Sequence, residues 1–500
     1  MRPLSSATLS SLPPSVRRPA YDRAALAIGL AHIGVGAFHR CHQEEFTDDM
    51  LEARFGRWGV VGINLFPPRV GEALRPQDGL YSRTLREGDR TETRVLGALR
   101  RIIEVDDPEA AESAIAALAD PAVKAATITV TEKGYCLTPA TGELDRANPD
   151  LASDLSSAFP PRTLLGLLAS ALDRRRNAGG DGLTLLSCDN IPSNGERLSK
   201  STLAFAAERS SALAAWIERR VAFPSSMVDR IVPATRPEDI DEVASALNLC
   251  DAAPVVGERF RQWVIEDRFA NERPPWDLAG VEFVSDAKPY EKIKMRLLNA
   301  AQSTLAHLGA LAGYEFSHQA ARDPILSDLT LAMLEGETAA TLPLVSGMEP
   351  IRYIASSISR IRNTAIRHRC HQIGTDGSQK IGQRLVDPLR ERLATGQSGR
   401  LLILSLSAWI AYVLAGAQRF GARWAPSDPW AEKIMAIGER ASDLRDAAAS
   451  ILALHQIFGE GLGRTDIAAA VADDLAGLLQ GEPRGHVRRL TSGEGRPSNG

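Results

Sequence analysis

The alternation of short apolar runs with amphipathic stretches, from about residue 25 to about residue 285, constrains this chain most strongly. Such alternation is typical of βα units and argues against an all-α or all-β architecture for this segment. Strands joined through intervening helices pair in parallel. The sequence therefore predicts an α/β domain built on a parallel sheet.

Six apolar or β-branched runs are the candidate strands of this sheet. They cover residues 30–35, 58–64, 125–130, 183–188, 227–232 and 281–286. Three of them run directly into the polar clusters IGVGAFHR, TEKGY and CDNIPSNG. Ligands of open parallel sheets bind at the carboxyl ends of strands, so these clusters are candidate walls of a site, although the same residue types also form ordinary turns.

Helical periodicity replaces the strand pattern after about residue 290, beginning with YEKIKMRLLNAAQSTLAHLGALAGY. We expect an extended lead-in over 1–24, an α/β domain over 25–286, a mostly α-helical domain over 287–480 and a disordered tail over 481–500. The uncharged run 401–417 is shorter than the roughly 20 residues that span a bilayer. We interpret it as a buried helix of the second domain.

Charge and cysteine content narrow the function. The chain has 58 basic and 62 acidic residues, and a formal net charge of −4 provides no field to attract nucleic acid or an anionic membrane. Its N-terminus has no apolar segment resembling a secretion signal. The cysteines are scattered without a CxxC motif, which argues against a disulfide framework; they are Cys41, Cys136, Cys188, Cys250 and Cys370. We therefore expect a cytoplasmic protein whose partner is a small molecule.

The motif HIGVGAFHR places Gly34 and Gly36 directly after the first strand. In dinucleotide-binding domains, a tight glycine turn lets the cofactor pyrophosphate approach the following helix. The third position of the GxGxxG pattern is a histidine, so the match is incomplete and a plain turn is the alternative. The predicted cofactor contacts are Ile33, Gly34, Val35, Gly36, Ala37, Phe38 and His39.

The end of the second strand bears on the choice of cofactor. A carboxylate at this place would bond the adenosine ribose and exclude NADP. The sequence INLFPPR offers Asn64 and Arg69 instead. Asn64 is a further candidate cofactor contact, whereas Arg69 either binds a 2′-phosphate or is a solvated surface charge. These residues leave the choice between NAD and NADP open.

The helix KIKMRLLNAAQSTLAHL places Lys294 amid leucines and alanines, at about 100° per residue. Desolvation lowers a lysine pKa from about 10.4 toward neutrality, the range in which a general base works. Asn299 lies about 140° from Lys294, with Gln302 between them. One arc thus carries a base and two amides, a set suited to deprotonating an alcohol. The alternative is a lysine that extends along apolar surface to water.

Two histidine pairs at three-residue spacing raise the question of a metal site. The pairs are His39 with His42 and His368 with His371, and neighbouring imidazoles can ligate zinc. Neither pair has a convincing third ligand nearby in the sequence. We therefore predict no metal site.

The segment RHRCHQIGTDGSQKIGQR concentrates positive charge around a DG turn. Its cations are Arg367, Arg369, Lys380 and Arg384. Cations that converge on a pocket would bind a carboxylate or several hydroxyls through charge-assisted hydrogen bonds. A solvated loop explains the same residues without any ligand.

Eight motifs in register carry a family resemblance from about residue 20 to residue 480. They are HIGVGAFHRCHQ, DGLYSRTL, VTEKGYC, SCDNIPSNG, FPSSMVDRIVP, RQWVIEDRF, KIKMRLLN and DGSQK. Together they resemble the polyol-specific long-chain dehydrogenases, the family of mannitol 2-dehydrogenase and fructuronate reductase. The resemblance implies a Rossmann-type domain with a doubly wound sheet, a helical C-terminal domain, metal-independent chemistry and a preference for NAD.

The resemblance also implies roles for single residues. The lysine of the K-x4-N helix is the family's catalytic acid/base, which matches Lys294. The asparagine of that helix and that of the SCDN turn bond the reacting oxygen and match Asn299 and Asn190. The lysine of DGSxK contributes to substrate binding and matches Lys380.

One departure separates this chain from the family pattern. The family has a histidine three residues after the helix asparagine, and this chain has Gln302. An amide can bond a substrate hydroxyl but cannot share a titrating proton, which puts the binding geometry in doubt more than hydride transfer. His307 lies about 140° from Gln302 on the same projection and is not expected to replace the missing histidine.

Lys133 of TEKGY and the segment that carries Arg367 and Arg369 resemble fructuronate reductases more than mannitol enzymes. Added cations suit a substrate carboxylate. The sequence thus favours an oxidoreductase acting on a uronate such as fructuronate, with mannitol and fructose as the alternative pair, in a monomer or small homo-oligomer. A cofactor-binding sensor without turnover, motivated by Gln302, and a metal-dependent isomerase or dehydratase are the alternatives of other classes.

Overall fold

The computed structural model describes residues 1–67, 69–138, 142–345, 347–422 and 425–491. The chain divides into two compact units, Met1–Lys288 and Pro289–Gly500. The division falls two residues beyond the expected boundary at 286/287. Each unit has its own hydrophobic core.

Eleven strands form the sheets of the described part of the N-terminal unit. They are β1 (Ile28–Ile33), β2 (Gly59–Asn64), β3 (Tyr81–Glu87), β4 (Arg90–Leu96), β5 (Leu99–Glu104), β6 (Ala125–Ile128), β7 (Thr184–Ser187), β8 (Ser226–Asp229), β9 (Val255–Glu258), β10 (Gln262–Glu266) and β11 (Glu282–Val284). Nine α-helices accompany them in these residues. They are α1 (Ala37–Cys41), α2 (Gln43–Ala53), α3 (Gly71–Leu74), α4 (Pro108–Ala119), α5 (Pro149–Leu155), α6 (Leu164–Asn177), α7 (Asn194–Arg209), α8 (Ser211–Arg220) and α9 (Pro237–Leu247).

The central sheet has the order β5-β2-β1-β6-β7, and every neighbouring pair is parallel. This confirms the predicted parallel α/β fold, and β1, β2, β6 and β7 overlap the first four predicted strands. The predicted strands at 227–232 and 281–286 are wrong as members of that sheet. Their strands, β8 and β11, flank β10 in a separate three-stranded sheet in which β8 and β10 are antiparallel.

A third sheet, β4-β3-β9, interrupts the regular succession of βα units. The antiparallel pair β3 and β4 was not predicted, and neither was β5, the edge strand next to β2. These strands carry arginine and glutamate at several positions, for example Arg94 and Arg101, so they lack the apolar run that marks a buried strand. Burial of Arg94 depends on ion pairs with acids of α2.

Helices make up the regular secondary structure of the described residues of the C-terminal unit, apart from an isolated β-bridge between Phe316 and Arg369. Its α-helices are α10 (Lys288–Lys294, beginning at the boundary), α11 (Ala300–Leu311), α12 (Ser317–Arg322), α13 (Pro324–Met333), α14 (Pro350–Ile361), α15 (Cys370–Gly374), α16 (Gly377–Ile381), α17 (Asp387–Ala394), α18 (Arg400–Phe420), α19 (Ala431–Arg440), α20 (Leu444–Leu452), α21 (His455–Phe458), α22 (Thr465–Leu475) and α23 (Pro483–Thr491). Four π-helical turns continue α-helices of this unit: Met295–Asn299, Leu334–Thr338, Gly382–Val386 and Ala476–Gln480.

Helix α18 contains the long uncharged run of the sequence. Among the described residues it is the one helix long and apolar enough to cross a membrane, and 78% of its most apolar stretch is buried inside the folded chain. Leu404, Trp409 and Ile410 are fully buried in the core of the C-terminal unit. This burial agrees with the prediction of a core helix.

The described residues near both ends of the chain are more ordered than the sequence indicated. The lead-in carries a 3₁₀ turn at Leu9–Ser11, and Leu4 and Val16 are buried in a small apolar cluster of the N-terminal unit. The expected disorder of 481–500 is wrong for α23, because Val487 is fully buried and His486 Nε2 lies 2.9 Å from Asp474 Oδ1. Residues 492–500 of the predicted tail lie outside the described residues.

Candidate active site

The glycine turn follows β1 as predicted, and its two glycines differ in what they require. Gly34 has φ = +95°, and a Cβ there would lie 2.0 Å from the carbonyl oxygen of Thr129. A side chain at this position is therefore excluded by the protein itself. Gly36 has φ = −93°, and a Cβ there would meet no described atom closer than the oxygen of Gly34 at 3.9 Å. The fold leaves space at Gly36 that a ligand can use.

A cavity of about 490 Å³ opens over this turn within the N-terminal unit. Its wall includes backbone of the glycine turn, the end of β2 and the segment after β6; the lining residues include Ile33, Gly34, Val35, Gly36, Asn64, Leu65, Phe66, Thr129, Thr131 and Lys133. Ligand pockets have volumes of about 300–1,000 Å³. The free space at Gly36 and the carboxyl-end position fit a dinucleotide.

The helix after the turn is short, and the ring of His39, a predicted cofactor contact, packs against β1. Helix α1 ends at Cys41, and the non-helical backbone of His42 separates it from α2. The buried His39 ring stacks on His32 of β1, with centroids 3.3 Å apart and planes within 4°. Because the two rings stack flat, α1 can pack closely against β1. In GxGxxG motifs the third glycine permits this close packing of helix and strand. Ala37 and Phe38 form the first turn of α1 and are not part of the described cavity lining.

Asn64 borders the cavity, but its side chain is bonded within the protein. Its Oδ1 accepts from the backbone N–H of Val35 at 2.6 Å, and its Nδ2 donates to Glu104 Oε1 at 3.0 Å. The same carboxylate oxygen accepts the N–H of Gly71 at 2.5 Å. Asn64 therefore holds the glycine turn in place. Glu104, which ends β5, was missed because the sequence indicated no strand there.

Arg69 forms an ion pair close to the end of β2. Its Nη1 lies 2.7 Å from Asp106 Oδ2, and both side chains are more than one-third exposed. Asp106 therefore neutralises the arginine that could attract a 2′-phosphate. Exposed pairs of this kind contribute about 0–1 kcal/mol, so the pairing is readily exchanged.

Two polar clusters at the ends of β6 and β7 are joined by a buried carboxylate. Asp189 accepts from the backbone N–H of Thr131 at 2.9 Å and of Val130 at 3.2 Å. The hydroxyl of Tyr135 donates to the same carboxylate at 2.8 Å. Burial raises the pKa of Asp189, although these hydrogen bonds act against the rise. Sequence reasoning missed Asp189, whose position between Cys188 and Asn190 was visible but carried no signal of its role.

Asp189 fixes the surroundings of two predicted site residues. Lys133 lies in the 3₁₀ turn Glu132–Tyr135, is exposed and lines the cavity over the glycine turn. Asn190 directly follows Asp189 and is exposed at the carboxyl end of β7. The structure thus places both at the carboxyl edge of the parallel sheet.

The predicted base lies at a change of helix type in the C-terminal unit. Lys294 ends α10 and is 5% exposed, which agrees with its expected position on a buried face. The next five residues form the π turn Met295–Asn299, so the projection at 100° per residue is wrong across this stretch. Hydrogen bonds in a π turn join residues five apart. The K-x4-N spacing therefore brings Lys294 and Asn299 toward one face of the helix.

The two amides near the base have different environments. Asn299 is buried, and its Nδ2 lies 2.9 Å from the thioether sulfur of Met295, a weak acceptor. Gln302 is partly exposed on α11. An amide held by a weak acceptor can exchange it for a stronger one, such as an alkoxide oxygen.

Lys380 lies on α16 and is largely buried. Its Nζ donates to the carbonyl oxygens of Thr375 at 2.5 Å and Ile373 at 3.4 Å. Burial lowers the pKa of Lys380 to about 8, and the charge of Arg384 adds to this effect. The structure therefore brings Lys380 close to Arg384.

Arg367 and Arg369 contact residues of another segment, Glu315 and Phe316. Arg369 Nε lies 3.0 Å from Glu315 Oε1, and the guanidinium of exposed Arg367 lies 5.9 Å from the centre of the Phe316 ring. Both arginines thus contact the segment around Phe316, and their role in binding a substrate carboxylate stays a prediction. The sequence could not show these contacts, because an isolated β-bridge between Phe316 and Arg369 joins two segments that lie more than fifty residues apart in the chain.

The histidine pairs do not converge either. His42 Nε2 bonds the carbonyl oxygen of Gln262 at 2.9 Å, while His39 stacks on His32. His371 Nδ1 lies 2.9 Å from the hydroxyl of Tyr412. Within the described ranges, no three His, Cys, Asp or Glu side chains group closely enough to hold a metal ion.

Comparison with known proteins assigns both units of the chain to one family. The profile of the mannitol dehydrogenase Rossmann domain matches residues 28–278, and that of the mannitol dehydrogenase C-terminal domain matches residues 286–479. The D-mannonate oxidoreductase of Escherichia coli (strain K12) is 38% identical over 456 residues, covering 91% of this chain and 93% of that protein. A mannitol 2-dehydrogenase of Cereibacter sphaeroides is 35% identical over 91% of this chain and 94% of its own.

A solved structure agrees with these sequence matches. The Pseudomonas fluorescens mannitol 2-dehydrogenase, in a ternary complex with NAD and D-mannitol, aligns with a TM-score of 0.90 and 34% identity. The alignment covers 98% of this chain and 100% of that one. The fold, the two profiles and the relatives agree in every part of the chain that they cover. The chain belongs to the mannitol dehydrogenase family and is an oxidoreductase acting on alcohol groups.

Proposed function

We propose that this protein transfers hydride between NAD and a secondary carbon of an open-chain sugar acid, interconverting a uronate such as fructuronate and the corresponding hydroxy acid. The observation that carries the proposal is the buried Lys294 one π turn before Asn299. A helix-borne lysine shielded from water is suited to exchange a proton with a substrate hydroxyl. Family membership supports the same assignment.

In the oxidation direction, Lys294 accepts the hydroxyl proton while the amides of Asn299 and Asn190 stabilise the developing alkoxide. In reduction, the same groups polarise the carbonyl, and Lys294 returns the proton. When bound, the nicotinamide accepts or donates the hydride at its C4. Gln302 orients a substrate hydroxyl without taking part in the proton transfer.

The backbone of the turn around Gly34 and Gly36 holds the cofactor pyrophosphate in this proposal. The open space at Gly36 and the adjoining cavity support that assignment. The pairing of Arg69 with Asp106 favours NAD over NADP, because a carboxylate beside the arginine opposes a 2′-phosphate. A relative with NAD in its complex supports the same preference.

The preference for an acid has two supports. The D-mannonate oxidoreductase relative acts, by its name, on a sugar acid. The buried cations of the C-terminal unit provide a counter-charge that a neutral polyol does not need. Lys380 is accordingly the proposed carboxylate contact, and Lys133 is a further candidate cation. A cytoplasmic location accords with five unpaired cysteines.

Mannitol and fructose form the alternative substrate pair, because several relatives of similar identity are mannitol 2-dehydrogenases. A spectrophotometric screen tests both readings with mannitol, arabinitol, fructuronate and tagaturonate against NAD(H) and NADP(H). We expect the highest kcat/KM for a uronate with NADH. Equal efficiency with neutral substrates would transfer the proposal to the polyols, and cofactor binding without any turnover would favour a sensor.

A further inference from the structure

Arg384 is a buried arginine on a π turn that packs against the turn following the predicted base. It belongs to Gly382–Val386, which contacts Met295–Asn299. Its side chain is 6% exposed; Nη1 donates to Ser303 Oγ at 2.9 Å and lies 3.5 Å from the carbonyl oxygen of Asn299. Its buried Nε has no hydrogen-bond partner in the described structure. Arg384 thus contacts the segment that follows Lys294, and its Nε–H remains available as a hydrogen-bond donor.

No described carboxylate forms an ion pair with Arg384. Burial alone lowers the pKa of Arg384 to about 10, without an opposing acid. Two buried or half-buried arginines of the same unit are ion-paired: Arg296 donates to Glu391 at 2.6 and 2.7 Å, and Arg400 donates to Asp474 at 2.5 and 2.9 Å. Charges that remain buried in proteins are ordinarily paired or ligand-bound. Arg384 is an exception to this rule, and an anionic ligand would supply the missing counter-charge.

Two histidines close to Arg384 or Lys380 also have buried nitrogens without partners in the described part of the chain. Both ring nitrogens of His307 and Nδ1 of His368 are buried without partners among the described residues. Burial and the nearby cations Arg384 and Lys380 lower the pKa of His307 to about 3, and burial with Lys380 lowers that of His368 to about 4. Both imidazoles are therefore neutral at physiological pH. The cluster of Arg384, Lys380, His307 and His368 holds two cations and unused donors.

We propose that Arg384 is the residue that selects a substrate carboxylate, with Lys380 as its second cation, in the C-terminal unit. This inference rests on the proposed function, since it names the recognition of the acid by that same site. A guanidinium presents parallel N–H groups that match a carboxylate in a bidentate manner. A neutral polyol would leave the buried charge uncompensated. Arg384 thus separates sugar acids from polyols, whereas Lys294 and Asn299 serve either class.

The same donors could hold a free inorganic anion instead of the substrate's own carboxylate. The two sources differ in how anions affect turnover. If the substrate carboxylate is bound here, phosphate or acetate competes with the acid and leaves neutral polyols unaffected. If a free anion resides here, it changes the turnover of both substrate classes alike.

The test compares Arg384→Gln and Arg384→Lys with the wild type, using D-mannonate and D-mannitol as probes with NAD. Arg400→Gln is the matched control, because it removes a paired arginine of the same unit that has no contact with the cluster in the described structure. Kinetics give KM and kcat for each probe, and calorimetry on the NAD-loaded enzyme gives affinity even for a probe that is not turned over. Circular dichroism and NADH binding establish that each variant is folded.

We expect Arg384→Gln to raise the KM and Kd for D-mannonate about 10²-fold and to change those for D-mannitol less than about threefold. Arg384→Lys keeps the charge but loses the fork, so its effect on D-mannonate is intermediate. Arg400→Gln leaves the ratio of the two probes unchanged. If Arg384→Gln does not fold, the test uses Arg384→Lys and the same ratio of KM and Kd values for D-mannonate and D-mannitol.

Equal losses for both probes, or no change in either, would overturn the assignment of Arg384. Anion effects common to both probes would also overturn it in favour of a free anion. Turnover by the wild type separates this failure from that of the proposed function. An enzyme that oxidises D-mannonate regardless of Arg384 retains the function and loses the inference, whereas one that binds D-mannonate through Arg384 without turnover retains the inference and loses the function.

Discussion

Asn64 and Asp189 of the N-terminal unit differ in their hydrogen bonding from Arg384 and His307 of the C-terminal unit. At the turn, Asn64 accepts from Val35 and donates to Glu104, so both ends of its amide have protein partners. Asp189 likewise accepts three hydrogen bonds from protein groups. Around Arg384, the guanidinium Nε and both nitrogens of His307 have no partners in the described structure.

This contrast distinguishes a scaffold from a recognition site. Satisfied networks fix backbone geometry before a ligand arrives, which suits a cofactor held mainly by main-chain groups. Unsatisfied buried donors cost free energy in the ligand-free protein, about 1–3 kcal/mol for each group. A protein can tolerate this cost at a binding site, because the bound ligand supplies the missing acceptor. Breaking the first kind of network should affect geometry, and breaking the second should affect which substrate binds.

The largest expected effect is that of removing the base shared by all substrates. Lys294→Ala should reduce kcat/KM for alcohol oxidation by about 10²-fold or more, because general-base catalysis typically contributes this much. The loss should be equal for acids and polyols, since proton transfer does not depend on the substrate carboxylate. In this variant the pH-dependent step in the rate of oxidation should disappear, while the affinity for NAD stays nearly unchanged. Steady-state kinetics from pH 6 to pH 10 and NADH fluorescence titration measure these quantities.

Lys292→Ala is the matched control for the base. Lys292 lies on the same helix, is 37% exposed and pairs with Glu391 at 3.3 Å. Its removal should leave kcat and the pH profile unchanged. Wild-type turnover by Lys294→Ala across this pH range would show that the assigned base is wrong. The glutamine that replaces the family histidine sharpens this test, because Gln302→His should change KM without removing the lysine-dependent step.

The two glycines of the turn should separate cofactor binding from folding. Gly36→Leu fills the space above the turn and should weaken NADH binding by about 30-fold, equivalent to about 2 kcal/mol. Its thermal unfolding should stay close to the wild type, because φ at Gly36 is ordinary. Gly34→Ala should instead lower Tm, since the added Cβ meets the oxygen of Thr129. Unchanged NADH affinity in folded Gly36→Leu would exclude the turn from the cofactor site.

Much of the fold could be predicted from periodicity alone. Four strands of the parallel sheet, the change to helices near residue 290 and the buried helix α18 all follow from local patterns of apolar residues. Lys294 and the glycine turn were found because each lies within one short motif. Local patterns fail where charged residues form strands, as in β5, and where buried surface orders a polar tail, as in α23.

The remaining residues of the candidate site depend on contacts between distant parts of the chain. Glu104 bonds Asn64 from forty residues away, and Arg384 reaches Ser303 across eighty-one residues. A sequence shows that an arginine is present, but not whether an acid lies beside it. The same limit explains why Arg367 and Arg369 were grouped with Lys380, although Arg369 pairs with Glu315.

Removing a satisfied carboxylate should have a smaller effect than removing the base. Asp189→Asn keeps the size of the side chain but replaces one carboxylate oxygen by an amide NH2, so one of the two backbone N–H groups of Val130 and Thr131 then faces a donor. We expect kcat/KM to fall by about tenfold, in line with a loss of about 1.4 kcal/mol in positioning. Tyr135→Phe removes one donor and keeps the backbone contacts, so it should cost less. Measured kcat/KM for both probes should fall in parallel, and a selective loss for the acid would contradict a positioning role.

The pH dependence of acid binding should report on the cation cluster. Lys380 has a pKa of about 8, lowered by burial and Arg384 and raised somewhat by Asp376 and Asp428. The ammonium is charged below this value and neutral above it, while the two imidazoles stay neutral throughout. The KM for D-mannonate should therefore rise about fivefold from pH 7 to pH 9, because one of two cations is lost. D-Mannitol should show no such rise, and a parallel rise for both would indicate a different titrating group.

The smallest expected effect concerns the exposed pair of Arg69 and Asp106, which bears on the choice between NAD and NADP. An exposed ion pair contributes about 0–1 kcal/mol, so releasing either partner can change cofactor preference by only a few-fold. Asp106→Ala leaves Arg69 without its 2.7 Å partner and should raise kcat/KM with NADPH about threefold. Arg69→Ala should leave kcat/KM with NADH within the same factor and should not favour NADPH. Wild-type efficiency far higher with NADPH would overturn the NAD preference, and Arg69→Ala should then reverse it, because the arginine would be holding the 2′-phosphate rather than Asp106.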